Sequence, residues 1–548
     1  MKELRLDTNF VDYAILAIYF VAVLGIGFAA RRYIKTSLDY FLSGRSLPAW
    51  ITGLAFISAN LGALEILGMA ANGAQFGVYT THYYWIGAIP AMVFLGIVMM
   101  PFYYGSKVRS VPEYLRLRFG KPTHLFNALT FALATVLIAG VNLYALALVL
   151  KLLLGWPILL GIVIAAAIVL VYITLGGLSS AIYNEVLQFF IILAALIPLT
   201  IVGLVDVGGW DGLKDEIVKL KGNDDLLQSW AGTGSGDNPL EASWIPIVFG
   251  LGFVLSFGYW TTNFAEVQRA LSAKSLNAAQ RTPLIGAYPK IFIPFITIIP
   301  GLVALVTIKG LGGDDPNLQY NNAIPLLMNE YLPNGMLGLA LVGLIAAFMA
   351  GVAANVSAFN TVVTYDLWEP YVRSDRSDDY YLNFGRIATV AGILIGIATA
   401  LIASGYNNIM DYIQLLFSFF NAPLFATFII GMFWKRMTPW AGFWGLLAGT
   451  AGAAIAHYGN DWGWFDLGSA QAAAFWGAIA AFVADAIVSV AVTFVTTPKP
   501  VAELDGLVYG MAVVDEHVPA SERVWYRKPA TLAIGALGLT AILSFIFA

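Results

Sequence analysis

Positions 46–106 carry one formally charged side chain, Glu65, set in the stretch Ser58-Ala59-Asn60-Leu61-Gly62-Ala63-Leu64-Glu65-Ile66-Leu67-Gly68-Met69. A run this long and this apolar does not belong to a soluble domain, since about 20 apolar residues already cover some 30 Å of hydrocarbon. A carboxylate at bilayer depth costs a few kcal/mol, and Gly62 and Gly68 weaken the helix that carries it. The stretch therefore reads as a membrane helix interrupted in order to bind something. Asn60 is a second polar group there that needs a partner.

The rest of the 548 residues, 59% hydrophobic and 11% charged, extends this to a polytopic, all-α membrane protein embedded in a lipid bilayer. No basic block of the kind nucleic acid requires is present. Cysteine is absent, which excludes disulfides and thiolate metal sites. The four histidines, His82, His124, His457 and His517, lack metal-ligand spacing, and neither a nucleophile-base signature nor a phosphate loop is found, so no enzyme and no organic cofactor are expected. The first apolar run ends in Ala-Ala-Arg-Arg, as a retained helix does, rather than in a cleavage site.

Apolar runs of spanning length recur about fourteen times. Roughly three quarters of the 29 Lys and Arg fall in the connections that follow odd-numbered runs, which makes those connections cytoplasmic and both termini extracytoplasmic. The segment 497–529, with Lys499, Arg523, Arg527 and Lys528, falls inside. A single transport domain is expected over 1–548: a leading helix at 10–30, five helices over 50–206, five over 243–433, and extra helices over 440–548. Five is odd, so the second group enters the membrane from the side opposite to the first, as an inverted repeat. Each group opens with glycines in its first helix, Gly53, Gly62 and Gly68 in one and Gly250, Gly252 and Gly258 beside Ser256 in the other. Paired interruptions at matching positions point to a midplane binding site.

Other ionisable groups stand alone in apolar surroundings. Lys290 and Glu185 read as functional groups, with a snorkelling stem as the bland reading for the first and an interfacial position for the second. Asp485, outside both five-helix groups, reads as structural, and Asp366 as a solvated helix end. Tyr83-Tyr84-Trp85 is either an interfacial belt or a stacking lid.

The stretches Arg45-Ser46-Leu47-Pro48-Ala49-Trp50, Gly176-Gly177-Leu178-Ser179-Ser180-Ala181 with Glu185-Val186-Leu187-Gln188, and Gln268-Arg269-Ala270-Leu271-Ser272-Ala273-Lys274 resemble the sodium/solute symporter family, most closely its sodium/glucose and sodium/galactose branch. The resemblance implies a leucine-transporter fold of fourteen helices in a plasma (inner) membrane, and secondary-active transport of a sugar or polyol by alternating access. It implies substrate contacts at Asn60, Lys290 and Gln414, outer gates at Met69 and Tyr83, an inner gate at Tyr259, and a further gate at Met410. Three positions depart from the pattern: Tyr84 stands where the galactose site has a glutamate, Glu65 where the family has glutamine or histidine, and Ser256 where it has asparagine. A carboxylate transferred between facing helices explains the first two, since a sugar hydroxyl pair needs a strong acceptor on either helix. All three are expected at the substrate. For sodium, the resemblance implies Ser58, Leu61 and Ala347 with two serines, but Ala350 and Gly351 occupy the serine positions. Glu185 aligns with an auxiliary acid and is a possible proton or second-ion site. Sodium symport is the first expectation, and a sodium-independent uniporter or proton symporter the alternative.

Overall fold

The computed structural model describes residues 8–511 and 524–548 apart from positions 33, 107, 109, 316 and 407. Arg523, one of the expected cytoplasmic charges, and His517 lie outside the described residues. Among the described residues ten helices are long and apolar enough to cross a membrane, or twelve when each of two bent pairs counts as one span. In chain order these are α1 (Phe10–Arg31), the bent pair α2 (Ala49–Asn60) and α3 (Leu64–Thr81), α4 (Tyr83–Tyr104) and α5 (Lys121–Leu154). Next come α6 (Ile158–Asp206), broken at Gly177, the bent pair α7 (Pro246–Thr262) and α8 (Phe264–Leu271), and α9 (Leu276–Thr307). The chain ends with α10 (Met336–Tyr371), α11 (Asp378–Ala403), α12 (Ile409–Phe433), α14 (Ala470–Val495) and α15 (Pro529–Ile546), and a further helix outside that count, α13 (Pro439–Asp461), lies between α12 and α14. The described residues contain no β-strand.

The helices differ in how much of themselves they show to lipid. The most apolar windows of α5 and α10 are 83% and 89% buried, whereas those of α1 and α15 are 22% and 17% buried. Without an apolar driving force between helices in lipid, close backbone approach does the packing. Gly301 of α9 illustrates it: a Cβ there would stand 2.1 Å from the Ala70 carbonyl of α3.

The first bent pair turns by 58° over Leu61-Gly62-Ala63. A helix break leaves backbone N–H and C=O groups without partners, and here Asn142 of α5 meets one, its Oδ1 accepting from the Ala63 amide at 2.9 Å. That oxygen lies 2.5 Å from where a Cβ on Gly62 would sit, so glycine is required for the clasp to close. The second pair turns by 49° at Asn263, whose side chain caps α8 by accepting from the Ala265 amide. The expected interruption across Gly250, Gly252, Ser256 and Gly258 is not there: those residues lie in continuous helix, π-wound over Pro246–Ser256. Their glycines instead admit neighbours. A Cβ at Gly250 would meet the Phe475 carbonyl at 2.4 Å, and one at Gly258 the Asn421 carbonyl at 3.0 Å. Gly53 likewise stays helical, against Ile285.

Just before α2 and just after α8 the chain is pinned to itself. The Leu47 amide donates to the Ser272 carbonyl and the Lys274 amide to the Leu47 carbonyl, so the two bent pairs are tied at one end while their breaks flank the interior.

Candidate functional site

Lys290 reaches the centre from α9. It is 1% exposed, so its stem does not snorkel to an interface. Its ammonium donates to Glu65 and, at 2.5 Å, to Asn60 Oδ1. The rings of Tyr84 and Trp260 lie 4.9 and 5.3 Å from Nζ, within the range at which aromatic faces attract cations. The Tyr84 hydroxyl donates to Glu65 Oε2 at 2.6 Å. The two positions at which a carboxylate was expected to have changed helices thus touch each other across α3 and α4.

Around this pair a cavity of about 50 Å³ is lined by Asn60, Glu65, Met69, Tyr83, Tyr84, Ser256, Tyr259, Lys290, Met410 and Gln414. Every residue named for substrate and gates in the sequence is on that wall. The volume holds only a few waters, so a six-carbon solute has to displace the walls. Gln414 has no hydrogen-bond partner for its side-chain amide among the described residues and is buried against the cavity, leaving a donor and an acceptor for a ligand. Ser256 donates to the Leu251 carbonyl of its own helix at 2.7 Å, which leaves it an acceptor.

Hydrogen bonds cross the cavity at both ends. Tyr259 accepts from Asn60 Nδ2 at 2.9 Å and donates to Glu266 at 2.7 Å, while its ring packs on Phe417 at 4.9 Å. On the other side Tyr83 donates to Gln471 at 2.6 Å, and Gln471 donates to Asn72 and Asp411. Gln471 comes from α14, so a helix beyond the two five-helix groups reaches the gate. Nothing in the sequence marked it. Met410 closes against Gly68, where a Cβ would stand 3.0 Å from its Cγ.

Ser58, Leu61, Ala347, Ala350 and Gly351 are all buried, with Leu61 in the first break and Gly351 beside Gly62. Ser58 Oγ has no hydrogen-bond partner among the described residues. The room that a side chain at 351 would take is filled by Asn142, whose Oδ1 lies 2.3 Å from the position of a Cβ there. Asn142, unmarked in the sequence, bonds the Ala63 amide and packs against Gly351, and so joins the break to α10. Ala350 and Gly351 bring no hydroxyl here, and the Asn142 carboxamide oxygen stands against Gly351.

Glu185 is fully buried, and both its oxygens accept from Arg269. The guanidinium takes one lone pair of each oxygen and leaves the other. Asp366 is 1% exposed rather than a solvated helix end, and pairs with His124 at 3.0 Å. Asp485 accepts from Thr427 and Ser489, a satisfied structural carboxylate.

The family model described as sodium:solute symporter family matches residues 40–449. The chain is 27% identical over 463 residues to a sodium/glucose cotransporter of Vibrio parahaemolyticus, covering 80% of this chain and 83% of that one. It is 31% identical over 465 residues to the human sodium/myo-inositol cotransporter 2, covering 80% of this chain and 68% of the relative. A solved sodium-coupled sialic acid symporter in a substrate-bound outward-open state superposes with a TM-score of 0.76, at 19% identity, over 90% of this chain and 99% of that one. A nucleobase-cation-symport-1 transporter superposes at 0.54. These neighbours share the leucine-transporter fold. The chain is a multi-pass membrane transport protein, not an enzyme, and belongs to the sodium:solute symporter family, in which sodium is the coupling ion.

Proposed function

We propose that this protein carries a sugar or a related polyol across the plasma (inner) membrane by alternating access, with sodium as the coupling ion. One observation carries the reading: an ammonium, a carboxylate, a carboxamide with an unused amide and a tyrosine hydroxyl converge on one cavity at a helix break. Sugars present vicinal hydroxyls, each a donor and an acceptor, and this is a set of charged and neutral partners for them. The relatives that carry glucose and myo-inositol in their names support the class. Solute hydroxyls take over Lys290 and Glu65, draw Asn60 from Tyr259, and favour one gate over the other.

In this reading α13 and the apolar helix Ile158–Val171 complete fourteen crossings. The groups 50–206 and 243–433 form the inverted repeat, and both termini are extracytoplasmic. Sodium sits at the first break against Ser58, Leu61 and Ala347, with the Asn142 carboxamide oxygen supplying part of what Ala350 and Gly351 cannot. A hard cation favours about six oxygens, and such a site needs the carboxamide or water to reach that number.

The bare Ala350 and Gly351 also favour a second reading, a sodium-independent uniporter or proton symporter of the same solutes. Uptake into proteoliposomes across hexoses and polyols, with and without a sodium gradient, separates the two. Accumulation that collapses when choline replaces sodium is expected; uptake indifferent to sodium sinks the first reading.

A further inference from the structure

Glu266 is the buried acid that the site does not use. It stands in the first turn of α8, 2% exposed, just past the second break. Oε1 accepts from the Tyr259 hydroxyl at 2.7 Å. Oε2 is buried and has no hydrogen-bond partner among the described residues. The charged groups within electrostatic reach are Arg269 one turn along α8, Glu185 of α6 and Lys290 of α9. Of the other elements packed against α8, α2 and the α10 segment Met336–Val362 bring no charged side chain, α9 also carries Arg281, and the short helix Ser37–Leu42 carries Asp39.

A count of charge shows what is missing. Lys290 pairs with Glu65, and Arg269 pairs with Glu185 through Nε and Nη2 while its Nη1 donates to the Ala265 carbonyl. Three acids face two bases, and both bases are engaged. An unpaired carboxylate taken out of water costs several times what one charge-assisted hydrogen bond returns, so the third acid cannot stay ionised here without a cation of its own. Its bare oxygen is where that cation goes.

We propose that Glu266 is a proton-binding site coupled to the Tyr259 gate. With the gate latched, Oε2 carries the proton, Oε1 accepts from Tyr259, and the region is electrically balanced. When the gate swings away, water reaches the carboxyl and the proton leaves to the side on which the gate has opened. Closure takes one back from that same water. By linkage, acid on that side favours the latched form and alkali the open one. This goes beyond sugar transport and rests on alternating access only for its effect on rate.

Two measurements test it on the full-length protein. In detergent without solute, the infrared carbonyl stretch of a protonated carboxyl at neutral pH is compared between wild type and Glu266→Gln. A band present in the first and lost in the second is expected; identical spectra in that region overturn the proposal. In proteoliposomes, wild-type uptake slows as the side facing the Tyr259 gate is acidified. Glu266→Gln flattens that dependence, and Glu266→Asp, which keeps the titrating group, retains it with a displaced midpoint. An undiminished pH profile in Glu266→Gln overturns the coupling. If the glutamine variant does not fold, the aspartate variant decides: a band and a midpoint that both stay at their wild-type positions overturn the proposal. The infrared arm needs no transported solute, so a failure to find one bears on the function and not on Glu266.

Discussion

Two of the buried ion pairs among the described residues, Arg269–Glu185 and Lys290–Glu65, differ in what surrounds them. Arg269 and Glu185 are both fully buried, and the guanidinium is bound on every side by protein acceptors. Lys290 and Glu65 face a cavity, with Glu65 10% exposed and the ammonium divided between Glu65 and Asn60. Arginine suits the sealed position because its planar fork stays charged and holds a carboxylate in two places, while lysine is a point charge on a flexible stem that exchanges partners. A sealed pair fixes helices; a pair that borders a cavity can be lent to a ligand.

The sharpest way to break this contrast is Arg269→Ala, which strands Glu185 in the interior and is expected to cost about 3–5 kcal/mol. Thermal unfolding in detergent reads it, and a wild-type melting profile means the pair is not a structural clamp. Lys290→Met comes next. Hydrogen bonds to charged groups contribute about 1.5–3 kcal/mol each, so solute affinity is expected to fall about 10- to 100-fold while folding suffers less than in Arg269→Ala, because cavity water can reach Glu65. Tyr84→Phe removes one such bond to Glu65, with about a tenfold loss of affinity expected at the lower end of that range. Smallest is Tyr83→Phe, where one hydrogen bond to Gln471 worth about 1 kcal/mol is lost at the gate; a modest change in uptake rate with little change in melting temperature is expected.

Much of the cavity was legible in the sequence, because a lone charge in an apolar run has few places to go. Glu65 and Lys290 announced themselves that way, and Gly62 marked the first break. The second break was misplaced because glycine serves two ends, unwinding a helix and admitting a neighbour's backbone, and local sequence does not tell them apart. At Gly250 and Gly258 the neighbour decides. Arg269 was hidden by its company. It stands close in sequence to Lys274 and Arg281, and a basic stretch reads as exposed although Arg269 is fully buried; Glu266 lies hidden beside it. Arg118 is similar, buried and donating to the carbonyls of Gly431, Trp434 and Met437. Asn142, Gln471 and the His124 partner of Asp366 act across 79, 399 and 242 residues of chain, separations at which no spacing argument operates.

The central claim is that side chains at the first break serve the solute and its backbone serves the cation. Glu65→Gln tests it most directly, with uptake measured against solute and sodium concentration in the same proteoliposomes. A rise of about tenfold or more in the solute KM, with the sodium concentration for half-maximal rate unchanged, is the predicted result. An unchanged solute KM with a displaced sodium dependence contradicts the assignment and returns Glu65 to the ion.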